Sequence, residues 1–486
     1  MVGQQRNIKN TLLCASLAVC AFNGMSYAQE STYDEANPSN LETIPGLNSN
    51  QKKTVRAIHN TCTDELWPIT NGGANPENLT DLTRRDLFFR CTSMIVTGDV
   101  ILGNLASHGL GLALTEDEYA IALNAIANEE AAGQGSSVKE VANSQIANVN
   151  ARMQAVRAAS LGLSINGFDL QLNDRQITGL ANVRGGNAGS NPGKLGFFVN
   201  GTISNGDKDE TLFEDGFDFY STAITIGIDY RFSDSLVAGI AVGINEVEIE
   251  IDNDFDTLDN DAISYIGFAS YFFNNIYVDG LLSFTQTDYE SKRRVTLGTS
   301  SNDNFVDRVA SGDTEGDQLS YSVGVGYFMN RNQLNVDYSL RLNVIDATVD
   351  GFDESSVAIN TSSVGEDSLS LRLNDQDIES VQVVLGISTS YAISQDFGVI
   401  TPHVRINLHN EFEDDARDIV AAYVHAPDVS SFTIETDDED SSYATIAIGL
   451  AAVLKGGTQF FIDYETVTGL DDISHQTISF GSRLEF

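Results

Sequence analysis

The second half of the chain alternates apolar and polar residues in a succession of short segments. The clearest segment runs from Tyr220 to Phe232, where apolar residues such as Ile226 share one parity. A period of two is typical of a β-strand with one apolar and one polar face. Tyr220 and Tyr230 lie ten residues apart, about 25 Å along a tilted strand, which matches the apolar band between the aromatic girdles of a membrane barrel. The opposite face is polar throughout and is predicted to line a lumen: Ser221, Thr225, Asp229 and Arg231.

Twelve segments follow this pattern, and their connections alternate in length. Tight turns at 233–234, 274–275, 330–332, 394–396 and 456–457 alternate with longer loops. In outer-membrane barrels the short turns face the periplasm, so both ends of the barrel are predicted to lie there. The predicted strands are 194–205, 217–232, 235–249, 262–273, 276–289, 317–329, 333–348, 378–393, 397–412, 442–454, 458–467 and 475–486.

The last predicted strand ends on an aromatic residue at the end of the chain. Phe480, Leu484 and Phe486 share one parity, and polar residues occupy the other. This is the typical closing strand of an outer-membrane barrel, with these three side chains facing lipid and serving in targeting and closure. The strand is predicted to pair with the first strand near Leu195 to Ile203, because pairing removes both open edges.

A long helix is predicted before the barrel, from Ser136 to Leu161. Spaced apolar residues lie among polar ones, including Arg152 and Arg157. A helix of this length spans about 39 Å, enough to cross the apolar layer inside a pore. Twelve tilted strands enclose a backbone cylinder about 24 Å across, which leaves room for one helix. We therefore predict that residues 136–161 thread the lumen and that 162–193 form a linker. The alternative is a periplasmic helix packed on a neighbour.

The first residues have the pattern of a secretory signal peptide. A basic start, an apolar core and a small-residue site at Ser26–Ala28 predict cleavage after residue 28. A lipoprotein site at Cys20 is the minor alternative. Residues 29–135 show helical spacing in three segments, Leu47 to Cys62, Leu79 to Val96 and Thr115 to Glu130. Cys62 and Cys91 are the only cysteines after the signal, and in an oxidising compartment they are predicted to form one disulfide.

These elements predict the fold class: an all-β membrane barrel of twelve antiparallel strands over 194–486, with a small α-helical N-terminal region and a helix threading the lumen. Several charged residues have the parity of the lumen face. Mixed charges in a confined polar space are expected to pair with one another or to hold Arg152 and Arg157 of the helix. They are Asp229, Arg231, Asp337, Arg341, Arg405, Asp463, Glu465, Arg483 and Glu485.

The chain is strongly acidic, with a formal net charge of −42. Such a chain repels nucleic acid, so no nucleic-acid partner is expected. Residues 250–261 and 436–440 are loops rich in carboxylates. The first lacks the glycine and the final glutamate of an EF-hand, because Thr257 and Ile263 occupy those positions. Solvated loops are the default interpretation, and weak Ca²⁺ or Mg²⁺ bridging to anionic lipopolysaccharide is the alternative. No cofactor is predicted.

The sequence motifs do not predict a catalytic site. The segment Glu366 to Leu369 contains part of a Gly-Asp-Ser-Leu box, but it lies in a loop without the context of a nucleophile. His403 and His409 share the lumen parity of Arg405, and a lumen histidine is more often a satisfied polar residue than a catalyst. The chain is therefore predicted not to be an enzyme.

A set of short motifs in the barrel resembles the β-domain of autotransporters, the translocators of type V secretion. The resemblance covers about 194–486, and the segment 145–153 is similar to the helix that leads into that domain. The motifs are Gly193–Gly201, Asp207–Asp209, Glu214–Asp218, Gly316–Gln318, Asp375–Asp377, Glu411–Arg417, Val467–Asp472 and Arg483–Phe486.

This resemblance implies a monomeric barrel in the outer membrane of a Gram-negative bacterium, in contact with lipid and lipopolysaccharide. It also implies insertion by the barrel-assembly machinery with periplasmic chaperones, and anchoring or export of an N-terminal passenger at the cell surface. The passenger of this chain is unusually short, at about 110 residues, and shows no β-helix repeat. The alternative is a stand-alone barrel, porin-like or adhesive through its acidic loops, with a periplasmic N-terminal region.

Self-cleavage of the linker is not predicted. Autotransporters that cleave within the barrel do so at an Asn-Asn pair, whereas this helix has Asn148-Val-Asn150. The N-terminal region is therefore expected to stay attached to the barrel.

Overall fold

The computed structural model describes residues 40–106, 109–160, 171–172, 175–176, 194–252, 255–454 and 458–485. The predicted signal peptide and Phe486 lie outside these residues. Of the predicted linker, only Gln171–Leu172 and Arg175–Gln176 are described, and they pair as a short antiparallel ladder.

Twelve antiparallel strands form the barrel, and the prediction of twelve is confirmed. Most extend a few residues beyond the predicted bounds at the ends joined by the long loops. The strands are β1 Leu195–Lys208, β2 Phe217–Ser233, β3 Leu236–Ile251, β4 Thr257–Phe273, β5 Ile276–Leu297, β6 Val306–Arg331, β7 Leu334–Val349, β8 Gln376–Tyr391, β9 Gly398–Glu411, β10 Ser442–Leu454, β11 Gln459–Thr468 and β12 Ile473–Glu485.

Each strand pairs with its neighbours in sequence, and β12 pairs with β1 to close the sheet. In this seam Glu485 is opposite Gly196 and Ile473 is opposite Lys208. Closure satisfies the backbone hydrogen bonds of both end strands, which an open edge in lipid would leave unmade. The predicted pairing of the first and last strands is confirmed.

The outer face of the barrel carries the apolar parity expected for contact with lipid. The side chains of Ile226 on β2 and of Phe480 and Leu484 on β12 are exposed on this face. Short connections, such as Ser233 to Leu236, join the strands at one end, here called the short-turn end. The opposite end carries the long connections 350–375 and 412–441 and is called the long-loop end.

Within the described part of the chain before the barrel there are four helices of eight residues or more: α1 Ser49–Asn60, α2 Leu82–Ile101, α3 Glu116–Ala127 and α4 Gly133–Ser160. None of the described helices is long and apolar enough to cross a lipid bilayer. A π-helical segment, Thr61–Leu66, and the short helix Trp67–Ile69 continue α1. Single 3₁₀ turns lie at Asn40–Thr43, Pro76–Asn78, Glu129–Ala132 and Glu366–Leu369.

Local sequence explains where the helices begin and end. Asn48 and Gln51 form a capping box at the start of α1, and Thr115 and Glu118 form another at the start of α3. Each box satisfies backbone N–H groups that have no partner within the helix. Asn128 ends α3 in the left-handed conformation, with φ of 59°, which asparagine tolerates better than most residues.

Residues 40–132 pack on the long-loop end and form one apolar core with the long loops. The loops supply a four-stranded sheet in the order Phe352–Asp353, Leu371–Leu373, Asp418–Tyr423, Phe432–Glu435. A further strand, Ser355–Ala358, pairs with the extended part of β6. Residues 40–132 together with these loop segments are called the cap. Its buried residues include Val55, Leu87, Leu123, Leu371, Tyr423 and Ile434, and Leu297 at the end of β5 packs in the same core.

A disulfide joins α2 to the π-helical continuation of α1. The Cα atoms of Cys62 and Cys91 are 5.9 Å apart, and both residues are buried in the cap core.

We expect the Cys62→Ser/Cys91→Ser variant to unfold its helical region more easily. A crosslink that closes a loop of this length contributes about 3 kcal/mol by limiting the unfolded chain. The measurement is limited proteolysis of purified full-length protein, with fragments from residues 40–132 appearing earlier than in the wild type. Equal protease resistance of the two proteins would show that the disulfide does not stabilise this region.

Candidate functional site

Helix α4 occupies the lumen of the barrel, and the prediction of a threading helix is confirmed. Its first residue, Gly133, lies beside Ile249 and Leu258 at the long-loop end. Its Arg152 lies near Gly196 and Asp229, at the short-turn end. The helix therefore runs from the cap down through the pore, and β1 begins at the end where the helix finishes.

The inner wall contacts the helix through apolar as well as polar side chains, so the expectation of a polar lumen is met only in part. Val138 and Val141 of α4 lie in a collar at the long-loop end whose wall residues include Ile249, Leu258 and Ile345. In mid-lumen, Val149 and Met153 pack with Phe198, Ile266, Phe268 and Leu281. Near the short-turn end, Val156 packs with Val237, Phe272 and Tyr277. Inward apolar residues are possible because the helix, rather than water, faces them.

Polar side chains fix the helix between the apolar contacts. The Thr225 hydroxyl donates to Gln145 Oε1 at 2.6 Å, and the Gln145 amide donates to Asn245. Asn200 Nδ2 donates to the backbone carbonyl of Asn148 at 2.7 Å. Gly243 faces Gln145 so closely that any Cβ there would overlap its amide group. The pore wall is therefore shaped to this helix.

A buried ion pair anchors the lower part of α4. Arg152 Nε donates to Asp229 Oδ2 at 2.6 Å, and a second guanidinium nitrogen contacts the same oxygen. The two side chains are 1% and 4% exposed, and the Phe198 ring lies 5.5 Å from the guanidinium carbon. Both charges are thus removed from water and depend on each other.

The other predicted lumen charges pair mainly between strands. Arg405 binds Glu465 at 3.1 Å and His403 binds Asp463 at 2.6 Å, in each case from β9 to β11 across the inner face of β10. Asp463 and Glu465 therefore pair with other wall residues, which is the first of the two expected outcomes, and Arg152 of the helix is held by Asp229 instead.

The remaining predicted charges also lie among wall residues. Tyr277 donates to Asp337 at 2.8 Å, and Arg341 lies 3.5 Å from Asp279. Arg231 interacts with Asp229, and Arg483 is buried close to the Arg152–Asp229 pair. The side chains of Arg157 and Glu485 lie outside the described residues.

Sequence reasoning missed several residues of the plugged pore. Asp279 has the same inward parity as the predicted charges and the same signal would have found it. The wall residues Phe198 and Phe268 give no such signal, because an inward aromatic residue contradicts the pattern of an open pore. Gln145 and Asn245 are likewise indistinguishable in sequence from other polar residues.

The histidines and the serine weighed as catalysts have structural partners. The His409 ring stacks on Tyr443 with centroids 4.5 Å apart, and its Nδ1 lies 2.9 Å from Gln382. Ser368 is buried, where its hydroxyl donates to Asp86 and accepts from Arg308. A serine nucleophile needs a base that accepts the proton of its hydroxyl. The Ser368 hydroxyl donates to Asp86, but this carboxylate is already paired with Arg308.

The acidic segment 437–440 makes specific contacts with the protein, although Asp438 and Glu439 also remain exposed to solvent. Asp437 accepts from Lys208 at 2.6 Å, and Glu439 pairs with Lys139 of α4. Asp438 and Asp440 accept the backbone N–H groups of Ala416 and Asp471, at 2.9 and 2.8 Å. All four carboxylates bind the protein itself.

The other acidic loop meets the connection between β1 and β2. Burial beside Glu210, Asp256 and Asp252 raises the pKa of Asp215 to about 6. The first cause is loss of hydration and the second is repulsion between carboxylates. Among residues 40–106, 109–160, 194–252, 255–454 and 458–485, no three acidic, histidine or cysteine side chains converge as a metal site would require.

Carboxylates also face each other on the outer wall beyond the apolar band. Glu246 is directly opposite Asp261, Asp261 is opposite Asp288, and Asp288 is opposite Glu315. Like charges in register oppose strand pairing. Both the outer wall at the long-loop end and the loops above it are therefore negatively charged.

Two buried ion networks join the helical part of the cap to the barrel loops. Glu354 binds Arg293 of β5 with contacts of 2.6 and 3.1 Å, and it accepts the Asn128 amide at 2.8 Å. Arg293 also donates to the carbonyl of Ala125 in α3. In the second network, Asp86 of α2 binds Arg308 of β6 at 2.6 Å. Each network is complete only when a cap helix, the β5–β6 hairpin and the β7–β8 loop are in contact.

We expect Glu354→Gln to loosen the cap, because it leaves the Arg293 guanidinium without its carboxylate at a site where both side chains are 2% exposed. Breaking such a pair costs about 3–5 kcal/mol, whereas breaking an exposed pair costs about 0–1 kcal/mol. The matched control is Asp353→Asn, which removes the exposed Arg372 pair, with side chains 45% exposed, one residue away. The measurement is protease sensitivity of residues 40–132. Equal sensitivity of the two variants would contradict the prediction.

We expect Asp229→Asn to loosen α4 in the lumen, because Arg152 would remain buried with a neutral partner. Ion conductance of the purified full-length protein in planar bilayers should rise. The control is Asp463→Asn, whose partner His403 belongs to the wall. A rise in the control equal to that in Asp229→Asn would show that the effect is not specific to the helix anchor.

Comparison with known proteins agrees with this architecture. A family model described as the autotransporter beta-domain matches residues 197–465. The chain is similar to the translocator domain of autotransporter NalP from Neisseria meningitidis, with 13% identity, TM-score 0.45, and coverage of 61% of this chain and 90% of that one. It is also similar to the beta domain of the Bordetella autotransporter BrkA, with 15% identity, TM-score 0.42, and coverage of 60% and 100%.

A third similar structure is the transport unit of the autotransporter AIDA-I from Escherichia coli, with 10% identity, TM-score 0.37, and coverage of 70% of this chain and 98% of that one. No curated protein matches the chain. The family implies the outer membrane of a Gram-negative bacterium, and its translocator barrel is not itself an enzyme. Because the family model covers more than half of the chain, this protein belongs to the autotransporter β-domain family.

Proposed function

We propose that this protein is an autotransporter translocator that carries its short N-terminal helical region to the cell surface and anchors it there. The observation that carries the proposal is the direction of α4. Its N-terminal end meets the cap at the long-loop end, and its C-terminal end lies at the short-turn end, where β1 begins. Long loops face outward in barrels of this kind, so residues 40–132 would lie outside the cell.

The packing of the cap supports anchoring over release. Asn50 of α1 is buried, and its side chain exchanges two hydrogen bonds with the backbone of Glu435, each 2.9 Å long. Arg90 of α2 donates to the carbonyl of Asn304 at the tip of the β5–β6 hairpin, also at 2.9 Å. A passenger built for release would not need to bury polar groups against the loops of its own barrel.

The proposal extends to the partners of the barrel. The lipid-facing side chains of Phe480 and Leu484, with Phe486 at the chain end, are proposed as the terminal signal read by the barrel-assembly machinery. The aromatic and aliphatic band is proposed to contact lipid, with lipopolysaccharide around the long-loop end, and the barrel is proposed to act as a monomer. Periplasmic chaperones would hold the chain before insertion.

Protease treatment of intact cells tests the surface location. An epitope tag inserted after Gln29 is expected to be removed, because the region it precedes lies outside. The control is the same tag between Asn274 and Asn275, in a β4–β5 turn at the short-turn end, which must stay protected. Protection of both tags would favour the stand-alone barrel with a periplasmic N-terminal region.

Cells of the same strain that have not been treated with protease test whether the N-terminal region stays attached. An immunoblot of outer membranes is expected to show one band of full mature length. A band of barrel size alone would show that the linker is cut and that the absence of an Asn-Asn pair does not prevent cleavage.

A further inference from the structure

The loop between β9 and β10 runs over the place where the barrel seam meets the pore helix. Lys208 is the last residue of β1 and pairs with Ile473, the first residue of β12. Beyond it, the Asp209 amide donates to the Asp472 carbonyl at 2.8 Å, so the seam continues into the loops. The segment 437–440 crosses this point.

The four carboxylates of the segment bind parts of the chain that are distant in sequence. The first and third, Asp437 and Glu439, bind Lys208 of β1 and Lys139 of α4. The second and fourth accept backbone N–H groups from Ala416 and from Asp471, the latter in the β11–β12 loop. Four consecutive residues therefore contact the β1–β12 seam, helix α4 and the β11–β12 loop.

The lysine on the seam depends on these contacts. The Lys208 side chain is 7% exposed and lies between Asp437 and Glu214, each at 2.6 Å. Thr211 donates to Asp437, and the Asp437 amide donates to Glu214 at 2.8 Å. Loss of Asp437 would leave the buried ammonium group with Glu214 as one carboxylate in place of two, so Lys208 favours the arrangement in which the segment is seated.

The start of the same loop holds the top of the helix. Arg417 lies across Gly135, where a Cβ would overlap its guanidinium group. It donates to the Ala132 carbonyl and to Gln376 of β8, both at 3.3 Å. Because the Arg417 N–H donates to the Thr436 hydroxyl at 2.8 Å, the two ends of the loop are tied together.

We propose that residues 437–440 are an acidic latch that locks the seated pore helix to the closed β1–β12 seam and keeps the pore shut at the long-loop end. The latch acts only in the finished molecule, because Lys139, Lys208 and Asp471 come together only when the helix is in the lumen and the seam is closed. This proposal is independent of the surface location of the cap.

Electrical recordings on full-length protein in planar bilayers test the latch. In Asp437→Asn/Glu439→Gln the open fraction is expected to rise about tenfold over wild type, equivalent to about 1.4 kcal/mol. The control is Glu290→Gln, which removes a carboxylate from an exposed Lys292 pair within β5. An open fraction equal to that of the control overturns the proposal. The proposal is also overturned if Asp437→Asn/Glu439→Gln changes only the protease sensitivity of the β9–β10 loop. The segment would then stabilise its own loop and not the pore helix.

Crosslinking provides a second test, which does not depend on correct folding of Asp437→Asn/Glu439→Gln. In Lys139→Cys/Glu439→Cys, a short bis-maleimide applied to folded protein in membranes is expected to join helix and loop. The joined protein should open less often than the same variant without the reagent. If the two cysteines react but do not join, or if joining leaves the open fraction unchanged, the latch does not exist.

Discussion

Packing of α4 against the inner wall is the interaction on which the rest of the structure depends. Twelve strands enclose a space too wide for their own side chains to fill, and an unfilled space would leave Phe198, Phe268 and the other inward apolar residues in water. The helix fills it, and the apolar collar at the long-loop end then closes around Val138 and Val141. The same helix needs the wall, because the Arg152 charge is buried and Asp229 neutralises it there.

The direction of this helix determines the position of everything before it. Since α4 enters at the long-loop end, residues 40–132 can only lie above that end, and there they meet loops that carry matching surfaces. Glu354 and Asp86 are buried acids whose arginine partners come from the β5–β6 hairpin. The N-terminal helical region and the loops of the barrel thus share one core, and the buried polar groups of each part find their partners in the other.

The acidity of the chain serves several separate purposes that its net charge does not distinguish. Some carboxylates are buried in ion pairs, as in the lumen, and those of 437–440 bind lysines and backbone amides at the seam. Others face one another on the outer wall, where they oppose the pairing of strands. Residues 250–261 and 436–440 are alike in composition and different in role, because the elements that surround them differ.

Much of this architecture follows from the sequence alone. Period-two alternation determines the twelve strands, the lipid face and the closing strand, since a strand in lipid has one apolar face whatever its neighbours are. Helical spacing and capping residues such as Asn48 and Thr115 likewise determine where helices lie, because those effects are local. Only the tertiary structure decided that Asp229, and neither Asp463 nor Glu465, holds Arg152, that aromatic residues line the pore, and that Asp437 binds Lys208. The two ion pairs join residues 77 and 229 positions apart in the sequence, and parity specifies the face of a residue without specifying which residue it meets there.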